Sequence, residues 1–228
     1  MDARVALVTG AGSGIGRATA ERLGRDGYVV AVHGHREEGA SEVAERIERA
    51  GGRALVLAGD VSDPESVHEA LGTVGRELGR LDAVVANAGL NGVWAPIEEI
   101  EPDEWARTLA VNLTGSFLTL RASVDLLARQ GGAVVVVSSI NGTRTFTTKG
   151  ASAYATSKAG QLALARVAAV ELGPRGDPVN TAGAMPLTGG RPGSVEQVAD
   201  VISFVRAPAA GHVAGTEVYV DGGQSLVV

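Results

Sequence analysis

The sequence has no cysteine among its 228 residues. This absence excludes disulfide bonds and any metal site or nucleophilic chemistry that depends on cysteine. Long hydrophobic runs are also missing. The first apolar run, Val5 to Val8, is too short and wrongly flanked for a signal peptide, and no later run approaches the length of a membrane span. The sequence therefore predicts a cytoplasmic protein with no membrane partner.

Basic stripes are absent as well. The net charge is -6, and acidic and basic residues are interspersed, so nothing predicts a nucleic-acid partner. With 45% hydrophobic residues, the chain is long enough for one compact core, and it shows no low-complexity tract, internal repeat or convincing linker. We therefore expect a single domain over residues 1–228.

Short β-branched apolar runs alternate with longer amphipathic stretches. The runs predict strands over residues 5–9, 28–33, 54–57, 83–86, 133–138 and 218–220. The stretches between them predict helices over 15–27, 37–50, 63–78, 104–130 and 153–172. Nearly continuous apolar strands separated by helices indicate a parallel sheet covered on both faces. The fold class is therefore α/β: a three-layer, doubly wound parallel sheet of the Rossmann type.

A glycine-rich segment, Thr9-Gly10-Ala11-Gly12-Ser13-Gly14-Ile15-Gly16, connects the first predicted strand to the first helix. Glycine lets the backbone approach a pyrophosphate closely, and the following helix N-terminus offers free N–H groups. A turn without a ligand is the alternative, but the position in a βαβ unit favours a dinucleotide. The predicted cofactor-binding residues here are Gly10, Ser13, Gly14, Ile15 and Gly16.

Three further segments follow predicted strands at the edge where a dinucleotide would lie. They are Asp60-Val61 after the third strand, Asn87-Ala88-Gly89 after the fourth, and His35-Arg36 after the second. A carboxylate after the second strand would bind a ribose 2′-hydroxyl, whereas a basic residue suits a 2′-phosphate. The basic pair therefore favours NADP(H) slightly over NAD(H), although an ordinary solvated loop would look the same.

Tyr154 and Lys158 are four residues apart in a predicted helix and so share one face. A neighbouring ammonium would lower the pKa of the phenol, as proton transfer at neutral pH requires. Ser138-Ser139 ends the fifth strand, where a hydroxyl would emerge at the ligand edge or simply cap a loop. Asn112 interrupts an apolar helical stretch and needs hydrogen-bond partners, so it is either functional or a satisfied kink residue.

Together these motifs resemble the short-chain dehydrogenase/reductase family, and within it the 3-oxoacyl-acyl-carrier-protein reductase-like members. The resemblance runs in order from about residue 4 to 172, and Val220-Asp221-Gly222-Gly223 also matches. It implies that Tyr154 is the general acid or base and that Lys158 lowers its pKa and holds the nicotinamide ribose. It also implies that Ser139 binds the substrate oxygen and that Asn112 positions a water in a proton relay. No metal is implied.

The pattern breaks after the catalytic helix. Family members usually carry Asn-x-x-x-Pro-Gly on the sixth strand and then a loop that covers the substrate. Here Pro178 is awkward for a strand between two neighbours, the Pro-Gly pair is absent, and the segment around 183–192 is short. Gly183 is the predicted cofactor contact in this segment. Either the substrate loop is deleted in the protein, or some of its residues are missing from the sequence as read.

The leading hypothesis is an NAD(P)(H)-dependent oxidoreductase that acts on a small carbonyl or secondary-alcohol substrate. The alternative is a cofactor-binding protein with little or no turnover, since the substrate loop is short. A Rossmann-like methyltransferase is disfavoured, because Ser139, Tyr154 and Lys158 would then be coincidental. The resemblance further implies a homotetramer or homodimer, and the apolar ending 222–228 is compatible with burial against a partner.

Overall fold

The computed structural model describes residues 3–129, 131–142, 149–184 and 194–221. Within these residues the predicted alternation is present. The strands are β1 Val5–Thr9, β2 Val29–Gly34, β3 Arg53–Ala58, β4 Ala83–Ala86, β5 Ala133–Ser138, β6 Val179–Ala184 and β7 Glu217–Val220. The helices are α1 Gly14–Arg25, α2 Glu37–Arg49, α3 Pro64–Glu77, α4 Pro102–Leu109, α5 Gly115–Leu127, α6 Ser152–Leu172 and α7 Val195–Val205.

The strands form one parallel sheet in the order β3-β2-β1-β4-β5-β6-β7. The chain runs outward from β1 to β3, then returns to the other side of β1 and continues outward through β7. Strand order therefore reverses between β1 and β4, and a crevice opens at their carboxyl ends, where α/β sheets bind ligands. This topology confirms the predicted doubly wound sheet.

Each face of the sheet is covered by helices, so the strand side chains are buried on both sides. Leu7 and Val84 pack with Leu127 of α5 on one face. Val8 packs with Leu23 of α1 on the other, in a core to which α2 and α7 also contribute. Because successive residues of a strand point to opposite faces, a continuous apolar run is what a doubly covered sheet requires. No helix in the described ranges is long and apolar enough to cross a membrane.

The stretch predicted to be helical over 104–130 is helical from Pro102 to Leu127. It is divided into α4 and α5 by a π-helical turn over Ala110–Thr114. At this turn the carbonyl of Asn112 accepts hydrogen bonds from the Gln161 amide, at 2.8 Å, and the Ser116 hydroxyl, at 2.7 Å. A π-turn inserts one residue into a helix and often marks a functional position. The interruption therefore turns the buried Asn112 toward α6.

A strand after Pro178 was not among those predicted, and this proline was noted as awkward within a strand between two neighbours. β6 lies between β5 and β7 and begins at Val179, directly after Pro178. The missing N–H of Pro178 therefore falls outside the strand ladder, while its carbonyl accepts from the Val134 N–H at 2.9 Å. Residues 185–193, which include most of the segment expected to be shortened, lie outside the described residues.

Candidate active site

The glycine segment forms a backbone cradle at the N-terminus of α1. Gly10 and Gly14 adopt positive φ angles of 63° and 54°, which favour glycine. Ser13 caps α1 without a side-chain hydrogen bond, and the first turn of the helix has no acidic residue. The N–H groups of that turn have no intrahelical partner, and the helix dipole favours an anion there. The cradle therefore fits a dinucleotide pyrophosphate.

The loop after β4 holds this cradle in place. The Asn87 side-chain nitrogen donates to the carbonyl oxygens of Thr9, at 2.9 Å, and Gly10, at 3.2 Å. The Thr9 hydroxyl accepts from the N–H groups of Asn87 and Ala88, both at 3.1 Å. Thr9 was not among the predicted site residues, although its place at the start of the glycine segment could have suggested it. Asn87 thus both lines the crevice and fixes the shape of the cradle.

Two adjoining cavities occupy the crevice at the carboxyl ends of the strands. The larger, of about 800 Å³, runs from the glycine cradle to the catalytic helix. The smaller, of about 400 Å³, lies on the far side of His35 and Gly10. Predicted residues that line the larger cavity are Gly10, Ser13, Gly14, Ile15, His35, Arg36, Asn87, Gly89, Tyr154 and Lys158. Those that line the smaller are Gly10, His35, Asp60, Val61, Ala88 and Gly89.

Gly16 and Gly183 contribute to the site without lining either cavity. Gly16 lies under the cradle, where an added Cβ would collide with the carbonyl oxygen of Gly10 and lie 2.5 Å from the Asn87 side-chain nitrogen. Gly183 is paired with Ser138 of β5 and Tyr219 of β7, at the same edge of the sheet. Their direct contact with a cofactor remains a prediction.

Basic residues lie exposed at the end of the larger cavity that is next to β2. His35 and Arg36 follow β2 and are exposed. Gly34 ends β2, and a Cβ there would lie 2.8 Å from the Arg36 carbonyl oxygen and 3.2 Å from the Ala40 Cβ. The strand therefore has no room at this position for an acidic side chain. In the smaller cavity, hydrogen bonds from the Ser62 hydroxyl and N–H lower the pKa of Asp60, so its carboxylate is ionised at neutral pH.

Ser139 and Tyr154 meet beside the other end of the larger cavity, which Tyr154 and Ser138 line and Ser139 does not. Ser139 follows β5 and is buried, and Tyr154 lies in the first turn of α6. Burial raises the pKa of the Tyr154 phenol above its ordinary value, and a hydrogen bond with the Ser139 side chain acts in the opposite direction. The sequence predicted that Lys158 lowers this pKa. That effect of Lys158 remains a prediction, because burial is the largest influence on this pKa.

Lys158 lies one turn further along α6 and is buried. Its ammonium donates to the Val137 carbonyl at 3.0 Å and lies 5.6 Å from the centre of the Tyr154 ring. Burial lowers the pKa of Lys158 to about 8. The Ser138 hydroxyl donates to the Lys158 carbonyl at 3.0 Å, so Ser138 joins β5 to α6. These contacts fix Lys158 on the same helix face as Tyr154, as the four-residue spacing predicted.

Asn112 connects three parts of the site. Its side-chain oxygen accepts from the Leu90 N–H at 2.8 Å, and its side-chain nitrogen donates to the Leu90 carbonyl and the Ser157 hydroxyl, both at 2.9 Å. A Cβ on Gly89 would lie 3.2 Å from the Asn112 oxygen and 3.6 Å from the Lys158 nitrogen, so all three groups border one space. The buried Asn112 amide thus has hydrogen-bond partners on both its oxygen and its nitrogen, and it lies beside α6. Its role in holding a relay water remains a prediction.

This arrangement defines an α/β protein with a dinucleotide crevice that reaches a Ser–Tyr–Lys cluster. Residues 4–188 match the family described as short chain dehydrogenase. The chain is 38% identical to cis-4-hydroxycyclohexanecarboxylate dehydrogenase of Sinomonas cyclohexanicum, over 98% of the chain and 97% of that relative. It is 32% identical to the trans-4-hydroxycyclohexanecarboxylate dehydrogenase of the same organism, over 97% and 93%.

A solved structure is similar as well: a 3-ketoacyl-ACP reductase from Sinorhizobium meliloti 1021. It is 46% identical to this chain with a TM-score of 0.94, covering 98% of this chain and 100% of that one. The chain belongs to the short-chain dehydrogenase family. It is an oxidoreductase that acts on an alcohol or carbonyl group and uses a nicotinamide dinucleotide.

Family membership confirms the resemblance and argues against the methyltransferase. The alignment with the cis-specific relative spans 245 positions, 17 more than the 228 residues of this chain, so that relative carries residues that this chain lacks. This difference in length is consistent with a shortened segment. The alternative of a protein without turnover is not favoured, because the similar proteins are named as dehydrogenases and a reductase.

Proposed function

We propose that the protein transfers hydride between a nicotinamide and a small carbonyl or secondary-alcohol substrate, with Tyr154 as the general acid or base. One observation carries this proposal: Tyr154 and Lys158 line the same cavity as the glycine cradle. A cofactor whose pyrophosphate lies on the cradle would extend along this cavity toward the phenol. Hydride chemistry comes from the cofactor when it is bound, and the protein supplies orientation and the proton.

The raised pKa of Tyr154 favours its role as a proton donor. Because burial raises this pKa above the ordinary value of 10.0, the phenol keeps its proton at neutral pH. It can then donate that proton to the oxygen of a bound ketone, while the Ser139 hydroxyl donates a second hydrogen bond to the same oxygen. The phenolate that forms would be stabilised by the Lys158 ammonium nearby. In the direction of alcohol oxidation the same groups act in reverse.

NADP(H) is the cofactor that we propose in preference to NAD(H). The exposed His35 and Arg36 line the larger cavity where the 2′-phosphate of NADP(H) would lie, and Gly34 leaves no room for a carboxylate that would bind a 2′-hydroxyl. Glu38 lines the same cavity and opposes a phosphate, so the preference is expected to be modest.

The names of the similar proteins suggest two classes of substrate. The two Sinomonas relatives are named for a hydroxylated cyclohexane ring, and the solved reductase is named for a 3-ketoacyl group on acyl-carrier protein. The reductase is the most similar of the three proteins, at 46% identity, but two separate relatives share the ring, and on that agreement we propose the cyclic alcohol or ketone.

Assembly into a homodimer or homotetramer is also proposed. Phe117 of α5 and Val167 and Val170 of α6 are exposed although they are large and apolar. Exposed apolar groups on long helices are typical of subunit contacts. Light scattering should therefore give a mass that is two or four times that of the 23.1 kDa chain. The apolar ending 222–228 lies outside the described residues.

Absorbance at 340 nm tests the proposed reaction. NADPH, and separately NADH, should be oxidised only when a ketone is added, and the panel should contain cyclohexanone, 4-oxocyclohexanecarboxylate and a linear β-ketoester. Nucleotide fluorescence measures binding in the same samples. Binding with ketone-dependent oxidation is the expected result. Binding of the nucleotide without oxidation of any ketone would support the cofactor-binding alternative instead.

A further inference from the structure

A large aromatic side chain lies exposed beside the catalytic tyrosine. The Trp94 indole centre is 6.3 Å from the centre of the Tyr154 ring, and the two rings are tilted by 39°. Trp94 is 46% exposed. Aromatic residues make up only 4% of the chain, and an indole that faces water leaves much apolar area unburied. Its position beside Tyr154 indicates that something other than the protein core covers it.

The loop that carries Trp94 is held against the active site at both ends. Before Trp94, the Leu90 backbone is bound on both its N–H and its carbonyl by the Asn112 side chain. After it, the Ala95 N–H donates to the Gly150 carbonyl at 3.1 Å, two residues before α6 begins. The indole N–H donates to the Asn91 carbonyl at 3.1 Å, which fixes the ring itself.

Glycine at position 150 lets the backbone of the Trp94 loop approach the chain just before α6 closely. Its φ is 86°, and an added Cβ would lie 3.1 Å from the Ala95 nitrogen and 3.3 Å from the Trp94 carbonyl carbon. The Trp94 loop and the start of the Tyr154 helix are therefore packed backbone to backbone. The indole is placed relative to the phenol by contacts that do not depend on a bound substrate.

We propose that Trp94 determines substrate specificity by providing an apolar face for the ring of a cyclic ketone or alcohol. This proposal rests on the proposed function and names a substrate class for that site. When a carbonyl oxygen is bound at Ser139 and Tyr154, the rest of the substrate lies beside the Tyr154 ring, next to the Trp94 indole. A saturated six-membered ring covers more of an indole than a four-carbon linear ketone does, so it gains more from this contact.

Substrate selectivity is the quantity that tests the proposal. Trp94→Ala should lower the ratio of kcat/KM for cyclohexanone to kcat/KM for 2-butanone by about tenfold. The change should appear mainly in KM for cyclohexanone, because the indole binds the ring and does not take part in proton transfer. Trp94→Phe keeps an aromatic face and should restore most of the ratio. The affinity for NADPH, measured by fluorescence, should not change.

Val93→Ala is the matched control. Val93 precedes Trp94 on the same loop and is 47% exposed, so its truncation shows whether loss of an exposed apolar side chain from this loop is by itself enough to change selectivity. This variant should leave the ratio within about twofold. The proposal is wrong if Trp94→Ala changes both ketones by the same factor, if it changes neither, or if Val93→Ala has the same effect.

Ring binding can be measured without turnover, which separates this proposal from the proposed function. Ligand-observed NMR of cyclohexanol with the NADPH-loaded protein, a pair that cannot react because both molecules are reduced, should show binding that is lost in Trp94→Ala and kept in Val93→Ala. If no ketone is reduced but this difference is seen, the catalytic proposal fails and the role of Trp94 stands. Binding of cyclohexanol that persists in Trp94→Ala would overturn the role of Trp94 even in an active enzyme.

Discussion

The two ends of the larger cavity are built in different ways. At the catalytic end, Ser139 and Lys158 are buried, and the Lys158 ammonium is fixed by a backbone carbonyl of β5. At the opposite end, His35 and Arg36 are exposed and follow the last residue of β2. The end of the cavity at Tyr154 therefore holds its polar groups in fixed positions in a desolvated space. The end at β2 carries its charge near solvent.

We expect this difference to separate catalysis from cofactor preference. Buried groups held by several hydrogen bonds cannot readjust, so a substitution there should change the rate of the chemical step. Exposed charges interact over a longer range and are screened by salt, so a substitution there should change binding of a charged cofactor. Substitutions at the two ends of the cavity, and in the residues that support them, test this separation.

Tyr154→Phe is expected to have the largest effect. It removes the acidic proton but keeps the ring, so kcat for ketone reduction should fall by about 10³-fold. The dissociation constant for NADPH should stay within about twofold, because the cradle is untouched. Steady-state kinetics and fluorescence titration measure the two quantities, and a melting curve checks that the variant is folded. Undiminished turnover would remove Tyr154 from its assigned role.

Asn112→Ala should lower both stability and activity. It leaves the N–H and carbonyl of the half-buried Leu90 without this partner and removes one bond of the Ser157 hydroxyl, which still donates to the Tyr154 carbonyl, so the free energy of unfolding should fall by about 2–3 kcal/mol. Denaturant unfolding measures this change. Ser157→Ala is the matched control: it removes one of the three Asn112 bonds together with the Ser157 bond to the Tyr154 carbonyl, and it should cost about 1 kcal/mol. Equal losses in the two variants would mean that the Leu90 contacts contribute little.

Arg36→Asp should change cofactor preference without changing the chemical step. The dissociation constant for NADPH should rise about 30-fold at low salt and that for NADH less than threefold, because only NADPH carries the 2′-phosphate. Arg49→Asp reverses a charge at the other end of α2, where the side chain is also exposed, and should alter neither constant. If NADPH and NADH are weakened equally, the assignment of Arg36 to the phosphate is wrong.

Lys158 should make a smaller, pH-dependent contribution to stability. Burial lowers its pKa from 10.5 to about 8, so below pH 8 the ammonium is charged in both the folded and the unfolded state, and the cost of burying it is fully present. Between pH 8 and 10.5 the unfolded chain binds the proton and the folded protein does not, so stability rises with pH.

Lys158→Met lacks this titration and is the reference protein. The free energy of unfolding of the wild type, relative to this variant, should increase by about 1 kcal/mol between pH 8 and 9. Denaturant unfolding at pH 7, 8, 9 and 10 measures the difference between the two proteins. A difference that does not vary with pH would show that the pKa of Lys158 is not lowered.

Local patterns in the sequence were enough to predict most of the fold. The apolar runs predicted β1, β4 and β5 with the bounds that the structure has. The amphipathic stretch over 63–78 predicted α3, which begins at Pro64, and the Asp63 side chain accepts hydrogen bonds from the Glu65 and Ser66 N–H groups. These features depend on residues that are close in sequence, so the sequence displays them directly.

Features that depend on distant contacts could not be predicted in this way. The π-turn at Asn112 brings its carbonyl to Gln161, 49 residues later in the chain. The hydrogen bond from the Asn87 side chain to the Thr9 carbonyl joins residues that are 78 positions apart. The raised pKa of Tyr154 follows from how deeply the phenol is buried, which spacing to Lys158 does not reveal. Trp94 became a candidate only when its distance to Tyr154 was known.

The central claim is that catalysis and cofactor preference reside at opposite ends of one cavity. Its most direct test is a parallel measurement, for Tyr154→Phe and Arg36→Asp, of NADPH affinity by fluorescence and of kcat at saturating NADH and ketone. We expect Tyr154→Phe to lose kcat and keep its affinity for NADPH, and Arg36→Asp to keep kcat and lose affinity for NADPH. If either variant loses both by comparable factors, the two ends are coupled and the claim is contradicted.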